Sequence, residues 1–260
     1  IILNGTLIVN SADDGIRGKD YIIIEDGNLT LNVGDDGLKS DNDQDTSKGY
    51  ISIENGLLHI ISGGDAIQAE TNIMINNGVI AIISGGGSNS RIDANASAKG
   101  IKAVNSVTIN GGIITINSAD DAIHSDDKII INGGSFTIST GDDGIHADSS
   151  IEINGGYINI TQSFEGIESV VITINGGEIY IVSSDDGING AGGVDGSGFN
   201  TGPGRGGIMG RDSFTSSIDC YLYINGGYIV IDSLGDGIDV NGEIEMTDGT
   251  VIINGPTSNM

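Results

Sequence analysis

The chain of 260 residues carries 36 Asp and Glu against 10 Lys and Arg, which sets its formal net charge at −26, and it contains 44 Gly, 2 Pro and 1 Cys. This density of Asp and Gly disfavours long helices, which argues against a helical bundle or an ordinary α/β enzyme. The acidic balance disfavours nucleic acid and favours cations, the single Cys excludes an internal disulfide, and no apolar run approaches the roughly 20 residues of a membrane span.

The elements follow a repeat that runs along the whole chain. The Asn-Gly-Gly motif, or its equivalent, ends at ten glycines: Gly5, Gly27, Gly56, Gly78, Gly112, Gly134, Gly156, Gly177, Gly227 and Gly249. Most neighbouring markers are 21 or 22 residues apart, so the unit has about 22 residues, and longer steps indicate insertions near 41–49, 85–98 and 191–220. No linker breaks the register, so we expect one domain over residues 1–260.

Each unit reads x-I-x-I-N-G-G-x-I-x-I-x-S-x-D-D-G-I-x-A, which is three short stretches of strict alternation, each closed by a turn. Alternation places every second side chain in the interior, and we expect these to be Ile151 and Ile153, then Ile158 and Ile160, then Ile167. The pattern predicts an all-β fold, a single-stranded parallel β-helix with three sides and about ten coils. The rule for parallel crossovers favours a right-handed winding.

The third turn of each unit is acidic. Its second acidic position is held in turn by Asp14, Asp36, Asp65, Lys99, Asp121, Asp143, Glu165, Asp186 and Asp236, and the position before it adds Asp13, Asp35, Asp120, Asp142 and Asp185. Stacked repeats would place these carboxylates about 5 Å apart, where two charges repel by about 1 kcal/mol in water and about 4 at a dielectric of 20. We therefore expect several Ca²⁺ ions at the doubled positions and beside Glu165. The alternative, favoured for Asp65 and Asp236, is that each Asp caps its own turn.

The insertion near 41–49 offers further oxygen ligands. Asp41, Asp43 and Asp45 have the opening spacing of a calcium loop, and we include them as metal candidates. An EF-hand is rejected because Thr46 stands where that loop needs Gly and Ser52 where it needs an acid.

An outward column follows the acidic turn by two or three residues. It consists of Arg17, Lys39, Gln68, Lys102, His124, His146, Glu168, Asn189 and Asp239. A cation beside calcium is what a polysaccharide lyase needs, so Lys39 and Lys102 are candidate bases. The alternative is that these residues neutralise neighbouring acids, with His124 and His146 stacked as a surface ladder.

Tyrosines on the second face are candidates for sugar stacking. Tyr157 and Tyr228 stand two repeats apart, roughly 10 Å, which suits alternate rings of a β-1,4-linked glucan, and Tyr180 lies on the same face. Packing under an insertion is the alternative. The insertion near 85–98 is expected to cover the apolar column formed by Leu57, Val79 and Ile113.

The D-D-G-I-H-A-D form of the repeat, seen at Ile129 to Asp148 and again in a related form at Val107 to Asp126, resembles a known family. It is similar to the polysaccharide-lyase-like, calcium-binding parallel β-helix proteins of cellulolytic anaerobic bacteria, formerly a domain of unknown function. The resemblance implies a right-handed β-helix, calcium on the doubled Asp positions, a secreted or cell-surface location, and binding to cellulose and acidic sugars. It does not imply lyase activity.

Three functions remain open. The first is a non-catalytic β-helix, rigidified by calcium, that binds plant cell-wall polysaccharide such as cellulose or pectin-type polygalacturonate. The second is a calcium-dependent pectate-type lyase that acts by β-elimination, and the third is a structural or adhesin solenoid. The charge of −26 weighs against an enzyme that must attract a polyanion unaided, so the binding protein leads.

Overall fold

The computed structural model describes residues 1–93, 96–191 and 219–256, and within these ranges the chain forms strands and no helix. No helix long and apolar enough to span a membrane is found among them. The strands are β1 Thr6–Ser11, β2 Ile16–Arg17, β3 Tyr21–Ile24, β4 Asn28–Val33, β5 Leu38–Ser40, β6 Tyr50–Ile53, β7 Leu57–Ser62, β8 Ile67–Ala69, β9 Asn72–Ile75, β10 Val79–Ser84, β11 Ile101–Ala103, β12 Ser106–Ile109, β13 Ile113–Ser118, β14 Ile123–Ser125, β15 Lys128–Ile131, β16 Ser135–Thr140, β17 Ile145–Ile153, β18 Tyr157–Gln162, β19 Ile167–Ile174, β20 Glu178–Ser183, β21 Ile188–Gly190, β22 Cys220–Ile224, β23 Tyr228–Ser233, β24 Ile238–Val240, β25 Gly242–Met246 and β26 Thr250–Asn254. The predicted insertion near 191–220 falls almost wholly on residues 192–218, outside the described ranges.

One sheet contains ten strands in the order β1-β4-β7-β10-β13-β16-β18-β20-β23-β26. Each strand pairs in parallel with its neighbours, and the hydrogen-bonded partners come from successive repeats: Thr6 faces Asn28, and Val79 faces Ile113 across the insertion. The prediction of an all-β chain with parallel strands is confirmed. The register is regular except for a shift of one residue between β16 and β18 at Ser139, so the turns that follow these strands lie one beside another.

The second sheet contains sixteen strands and carries the other two stretches of each repeat. Its main path runs β2-β5-β8-β11-β14-β17-β15-β12-β9-β6-β3, and β19, β21, β22, β24 and β25 continue from it. β17 belongs to both rows because it spans the end of one repeat and the start of the next, and β19 does the same. The short strands β14 and β17 begin directly after the acidic turns, so they fix the position of those turns.

The interior is a set of aligned aliphatic side chains. The five isoleucines predicted to point inward, Ile151, Ile153, Ile158, Ile160 and Ile167, are all buried. Partners stack directly, as Ile123 on Ile145 and Ile145 on Ile167. Burying one such side chain contributes about 1.5–3 kcal/mol, so the stacked core stabilises each repeat through its neighbours.

The turn before each strand of the ten-stranded sheet explains the Asn-Gly-Gly motif. Gly156 has a φ of +102°, and a Cβ placed there would lie 2.9 Å from the backbone oxygen of Gly134 in the adjacent repeat. A side chain would therefore meet both backbone strain and a steric clash. The Asn side chains form a chain of amide hydrogen bonds that the sequence did not reveal: Asn132 Nδ2 donates to Asn110 Oδ1 at 2.7 Å, and Asn154 Nδ2 donates to Asn132 Oδ1 at 2.9 Å.

The insertion near 85–98 does not lie where the sequence suggested. Ser88 N donates to Asn117 Oδ1 at 2.7 Å, and Ser139 Oγ donates to Ser88 Oγ at 2.8 Å. The described part of this insertion therefore packs at the ends of β13 and β16, beside the acidic turns. The expectation that it covers the apolar column is wrong, since the three side chains of that column are 48%, 44% and 56% exposed: Leu57, Val79 and Ile113.

Candidate functional site

The acidic edge, defined here as the column of turns that carries the second acidic positions, lies between the ten-stranded sheet and the short strands. β16 ends at Thr140, the turn passes through Asp142 and Asp143, and β17 begins at Ile145. Because the strands on both sides of the turn are in register with the next repeat, the acidic positions fall in a single column.

Carboxylates of the acidic edge are hydrogen-bonded from one repeat to the next. Asp36 Oδ1 accepts the backbone N–H of Asp65 at 2.8 Å, and Asp65 Oδ1 accepts that of Lys99 at 2.8 Å. Asp121 Oδ1 accepts the N–H of Asp143 at 3.1 Å in the same way. These acids thus cap the turn of the following repeat, whereas the sequence suggested that each caps its own turn. One oxygen is used in this bond, and the other is left for a cation.

Lysines of the column contact several of these remaining oxygens. Lys39 Nζ lies 2.5 Å from Asp36 Oδ2 and 3.8 Å from Asp14 Oδ1. Burial alone would lower the pKa of Lys39, but the hydrogen bond to Asp36 and the charges of Asp36, Asp14 and Asp35 together outweigh it and raise the pKa above its ordinary value. Lys102 Nζ lies 3.5 Å from Asp65 Oδ2. Both candidate bases are therefore ammonium partners of the acidic edge.

Lys99 stands at a position that carries an acid in most of the other repeats. Its ammonium acts as a counter-ion for neighbouring carboxylates. Its ammonium lies 2.5 Å from Asp121 Oδ2 and 3.0 Å from Asp120 Oδ1. Asp121 is completely buried, and burial alone would raise its pKa. The charge of Lys99 and hydrogen bonds from His124 and His146 overcome that effect and hold the pKa of Asp121 well below its usual range.

Three members of each of the two predicted sets of doubled aspartates lie close together, without Asp36 and Asp143. One oxygen from each member lies within 4.8 Å of the others in the exposed group Asp13, Asp14 and Asp35 and in the more buried group Asp120, Asp121 and Asp142. Asp185 and Asp186 follow further along, where burial raises the pKa of Asp186 to about 7. These groups offer the oxygen ligands that calcium uses.

The aspartates of the insertion near 41–49 have different neighbours. Asp41 is an ion-pair partner of Arg17, and Asp45 Oδ1 accepts hydrogen bonds from Ser47 N at 3.0 Å and Ser47 Oγ at 2.6 Å. Asp43 is exposed. Among the residues that the structure describes, these three carboxylates are not gathered into a common group.

Beyond Asp121 the charges along the acidic edge change. Burial and then the charge of Asp142 raise the pKa of Asp143 well above its ordinary value, and burial and then the charge of Glu168 raise that of Glu165 to about 10. The carboxylates of the acidic edge therefore fall into two sets: those that contact a lysine and those that lie beside other carboxylates.

His124 and His146 contact each other inside this region. Their ring centroids are 5.0 Å apart at right angles, and both side chains are buried rather than on the surface. His124 Nδ1 lies 2.8 Å from Asp121 Oδ2, and its Nε2 lies 3.0 Å from Asp126 Oδ1. The expected pairing of the two rings occurs, but as part of the buried acidic network.

A second candidate surface is a strip of tyrosines on the outer face of the ten-stranded sheet. The rings of Tyr157 and Tyr180 are 5.8 Å apart, and those of Tyr180 and Tyr228 are 6.3 Å apart. Tyr157 and Tyr228 are 39% and 41% exposed. The Tyr180 hydroxyl donates to Glu178 Oε1 at 2.6 Å, and this bond raises the pKa of Tyr180 to about 12. The predicted gap between Tyr157 and Tyr228 is thus filled by a third ring, and the strip is continuous.

Residues 1–144, more than half of the chain, match the model of a family described as carbohydrate-binding domain-containing protein. The chain belongs to this family. No curated protein and no solved structure matches it.

The part of the chain that matches the family includes an apolar groove, which the sequence predicted to be covered by the insertion near 85–98. Leu57, Val79 and Ile113 line a shallow depression of about 480 Å³ together with Asp26 and Asn55. The groove lies in the same outward row of the ten-stranded sheet as the first residue of the tyrosine strip, since Ile113 pairs with Ser135 and Ser135 with Tyr157. The matched part also holds both gathered aspartate groups, whereas the tyrosine strip lies beyond it.

Proposed function

We propose that the protein is a secreted or cell-surface, calcium-binding parallel β-helix that binds plant cell-wall polysaccharide without catalysing its cleavage. The tyrosine strip carries this proposal, because three neighbouring rings on the outer face of one sheet form a continuous, partly exposed aromatic surface, in which adjacent rings are tilted by 50° and 61°. Sugar rings present an apolar face that stacks on such surfaces, while nearby polar groups bind their hydroxyls. Membership of a carbohydrate-binding family supports the same conclusion.

The strip favours cellulose over free polygalacturonate. Tyr157 and Tyr228 are two strands apart, roughly 10 Å, a spacing that suits alternate rings of a β-1,4-linked glucan. Glu178 lies between them and offers a carboxylate to sugar hydroxyls. The same carboxylate repels an acidic sugar, so polygalacturonate would need calcium to bridge it to the protein.

Calcium and the winding of the chain are part of the proposal. We place calcium at the Asp13–Asp14–Asp35 group, because it brings together carboxylate oxygens from successive repeats. The Asp120–Asp121–Asp142 group is a poorer candidate, since the Lys99 ammonium already lies 3.0 Å from Asp120 Oδ1 and 2.5 Å from Asp121 Oδ2. The step of 22 residues between paired positions such as Thr6 and Asn28 supports a right-handed β-helix of about 22 residues per coil. Bound calcium would then join successive coils.

The lyase alternative receives less support from the candidate bases. A general base must release its proton near the working pH, yet Lys39 is held as an ammonium by Asp36, which raises its pKa. Lys102 contacts Asp65 and also donates to Ser97 Oγ at 3.2 Å. An assay with polygalacturonate and calcium would show ultraviolet absorbance of an unsaturated product if the lyase hypothesis were right, and we expect none.

Co-sedimentation with microcrystalline cellulose in calcium tests the proposed function. We expect the wild type in the pellet and a loss of at least tenfold in affinity for Tyr180→Ala, since the central ring contacts both others. Tyr21→Ala is a matched control, because Tyr21 is 42% exposed and stacks on Tyr50 in the other sheet. If the wild type stays in the supernatant, or if both variants lose binding equally, the proposal fails.

A further inference from the structure

A group of mixed ligands lies on the acidic edge at the point where the Asp doublet gives way to other residues. Asp143, His146 and Glu168 each offer one ligand atom, and these atoms lie within 4.8 Å of one another. Asn189 is the register partner of Glu168 in the next repeat, and its Nδ2 donates to Glu165 Oε2 at 2.7 Å. Three successive repeats thus bring five side chains to one place.

Two oxygen atoms in this group have no hydrogen-bond partner. They are Oδ1 of Asn189, whose side chain is almost fully buried at 4% exposure, and Oε2 of Glu168. The Nδ2 bond to Glu165 fixes the orientation of the Asn189 amide, and its Oδ1 is left without a donor. A buried acceptor without a donor is costly and rare in folded proteins, and a bound cation is one explanation for it.

The charge of the group also favours a cation. Among the described residues, neither Glu165 nor Glu168 forms an ion pair with a lysine or an arginine, in contrast to Asp121, whose carboxylate lies 2.5 Å from the Lys99 ammonium. The carboxylates of Asp143 and Glu168 each place an oxygen within 4.8 Å of the other. A divalent ion would offset the repulsion between two such charges.

The donor atoms select the class of ion. Calcium prefers a shell made only of oxygen, whereas an imidazole nitrogen among carboxylates suits Zn²⁺ and similar first-row ions. We propose that Asp143, His146 and Glu168, with Asn189 Oδ1 as a further ligand, bind a divalent transition-metal ion at a site separate from the calcium sites. Around a tetrahedral ion with ligand distances of ~2.0–2.2 Å the ligand atoms lie ~3.3–3.6 Å apart, so side chains within 4.8 Å of one another must draw together by up to ~1.5 Å.

A neighbouring group of similar composition is a poorer candidate. Asp121, His124 and His146 also lie within 4.8 Å of one another. However, Asp121 Oδ2 already contacts the Lys99 ammonium at 2.5 Å and His124 Nδ1 at 2.8 Å. A metal ion at that oxygen would face the positive charge of Lys99.

Calorimetric titration with Zn²⁺ tests the proposal on the full chain, first stripped with a chelator and then saturated with calcium. We expect one Zn²⁺ to bind per chain despite the excess calcium, and Co²⁺ to give a visible absorption band at the same site. Glu168→Gln, which keeps the shape of the side chain, and Asn189→Ala should each weaken Zn²⁺ binding by at least about 10-fold, since even groups that only support a metal ligand contribute about 10–100-fold to affinity. His146→Ala should abolish the Co²⁺ band.

His59→Ala is the matched control, because His59 is exposed on β7 and lies away from the acidic edge. It should leave Zn²⁺ affinity unchanged. If His146→Ala does not fold, as judged by circular dichroism, Glu168→Gln decides. The proposal is overturned if calcium-loaded protein takes up no Zn²⁺, if Glu168→Gln binds as tightly as the wild type, or if only His124→Ala removes the ion.

Discussion

Lys99 is the residue whose replacement most directly tests the electrostatics of the acidic edge. Its side chain is 6% exposed, and its ammonium bridges Asp120 and the fully buried Asp121. Lys99→Met keeps most of the volume of the side chain and removes only the charge. The variant therefore leaves the buried carboxylate of Asp121 and the partly buried carboxylate of Asp120 without this cation.

The expected cost can be worked out from this geometry. Removing one partner of a buried ion pair costs about 3–5 kcal/mol, which corresponds to a fall in melting temperature of about 6–20 °C in a chain of this size. The folded-state pKa of Asp121 is lowered, so its stabilising contribution is present above the unfolded value of about 3.9 and is lost as the pH falls through the lower folded value. Without Lys99, burial raises that pKa, so the deficit of the variant is largest near neutral pH and shrinks as the pH falls below about 4.

Thermal unfolding in chelator, followed by circular dichroism between pH 3 and 7, measures this difference. Lys128→Met is the control, because Lys128 is exposed at the start of β15 and should change stability by less than about 0.5 kcal/mol. Equal melting temperatures for the two variants at pH 7, or a Lys99→Met deficit that does not change with pH, would refute the reasoning.

Three further results are expected. Asn132→Ala removes two amide bonds of the Asn chain and should cost about 1–2 kcal/mol in denaturant unfolding; an unchanged midpoint would show that the chain of amides is not stabilising. Gly156→Ala should cost about 1–3 kcal/mol more than Gly155→Ala, because only Gly156 has a positive φ; equal costs would contradict the role given to that turn. Calcium should raise the melting temperature of the wild type by more than that of Asp14→Asn, which lacks one charge of the exposed group; equal shifts would place the ion elsewhere.

The strict alternation of each repeat made much of the fold predictable. Inward positions such as Ile151 and Ile167 recur at a fixed distance along the chain, and period 2 assigns each residue to one face without knowledge of the rest of the fold. The acidic column followed from the same register. The sequence could not predict which group of the neighbouring repeat each carboxylate binds. A hydrogen bond such as that from Asp143 N to Asp121 Oδ1 depends on side-chain orientation at the turn.

Two contacts could not be predicted for a different reason. Tyr180 was a candidate on the same face as Tyr157 and Tyr228, but it aligns with Asn159 and Val230, so its contact with both other rings did not follow from the rows. Its ring reaches the other row diagonally, a contact that long side chains make across neighbouring strands. The sequence likewise identified Asn189 only as a member of the outward column, and the structure adds its hydrogen bond to Glu165. Both contacts join side chains from different rows of the repeat. The alternating pattern assigns residues to faces but does not predict contacts between rows.

The division of the acidic edge gives a physical reason for two kinds of cation in one protein. Lys39, Lys99 and Lys102 contact the acids from Asp14 to Asp121, so this part of the edge is partly neutralised by the chain itself. Further along, in the part of the chain that the structure describes, Glu165 and Asp186 form no ion pair with lysine, and burial raises the pKa of both. Ions taken up there neutralise charge that no lysine reaches, so chelation should loosen β19 and β21 before it loosens β5 and β8, an order that hydrogen exchange can resolve strand by strand.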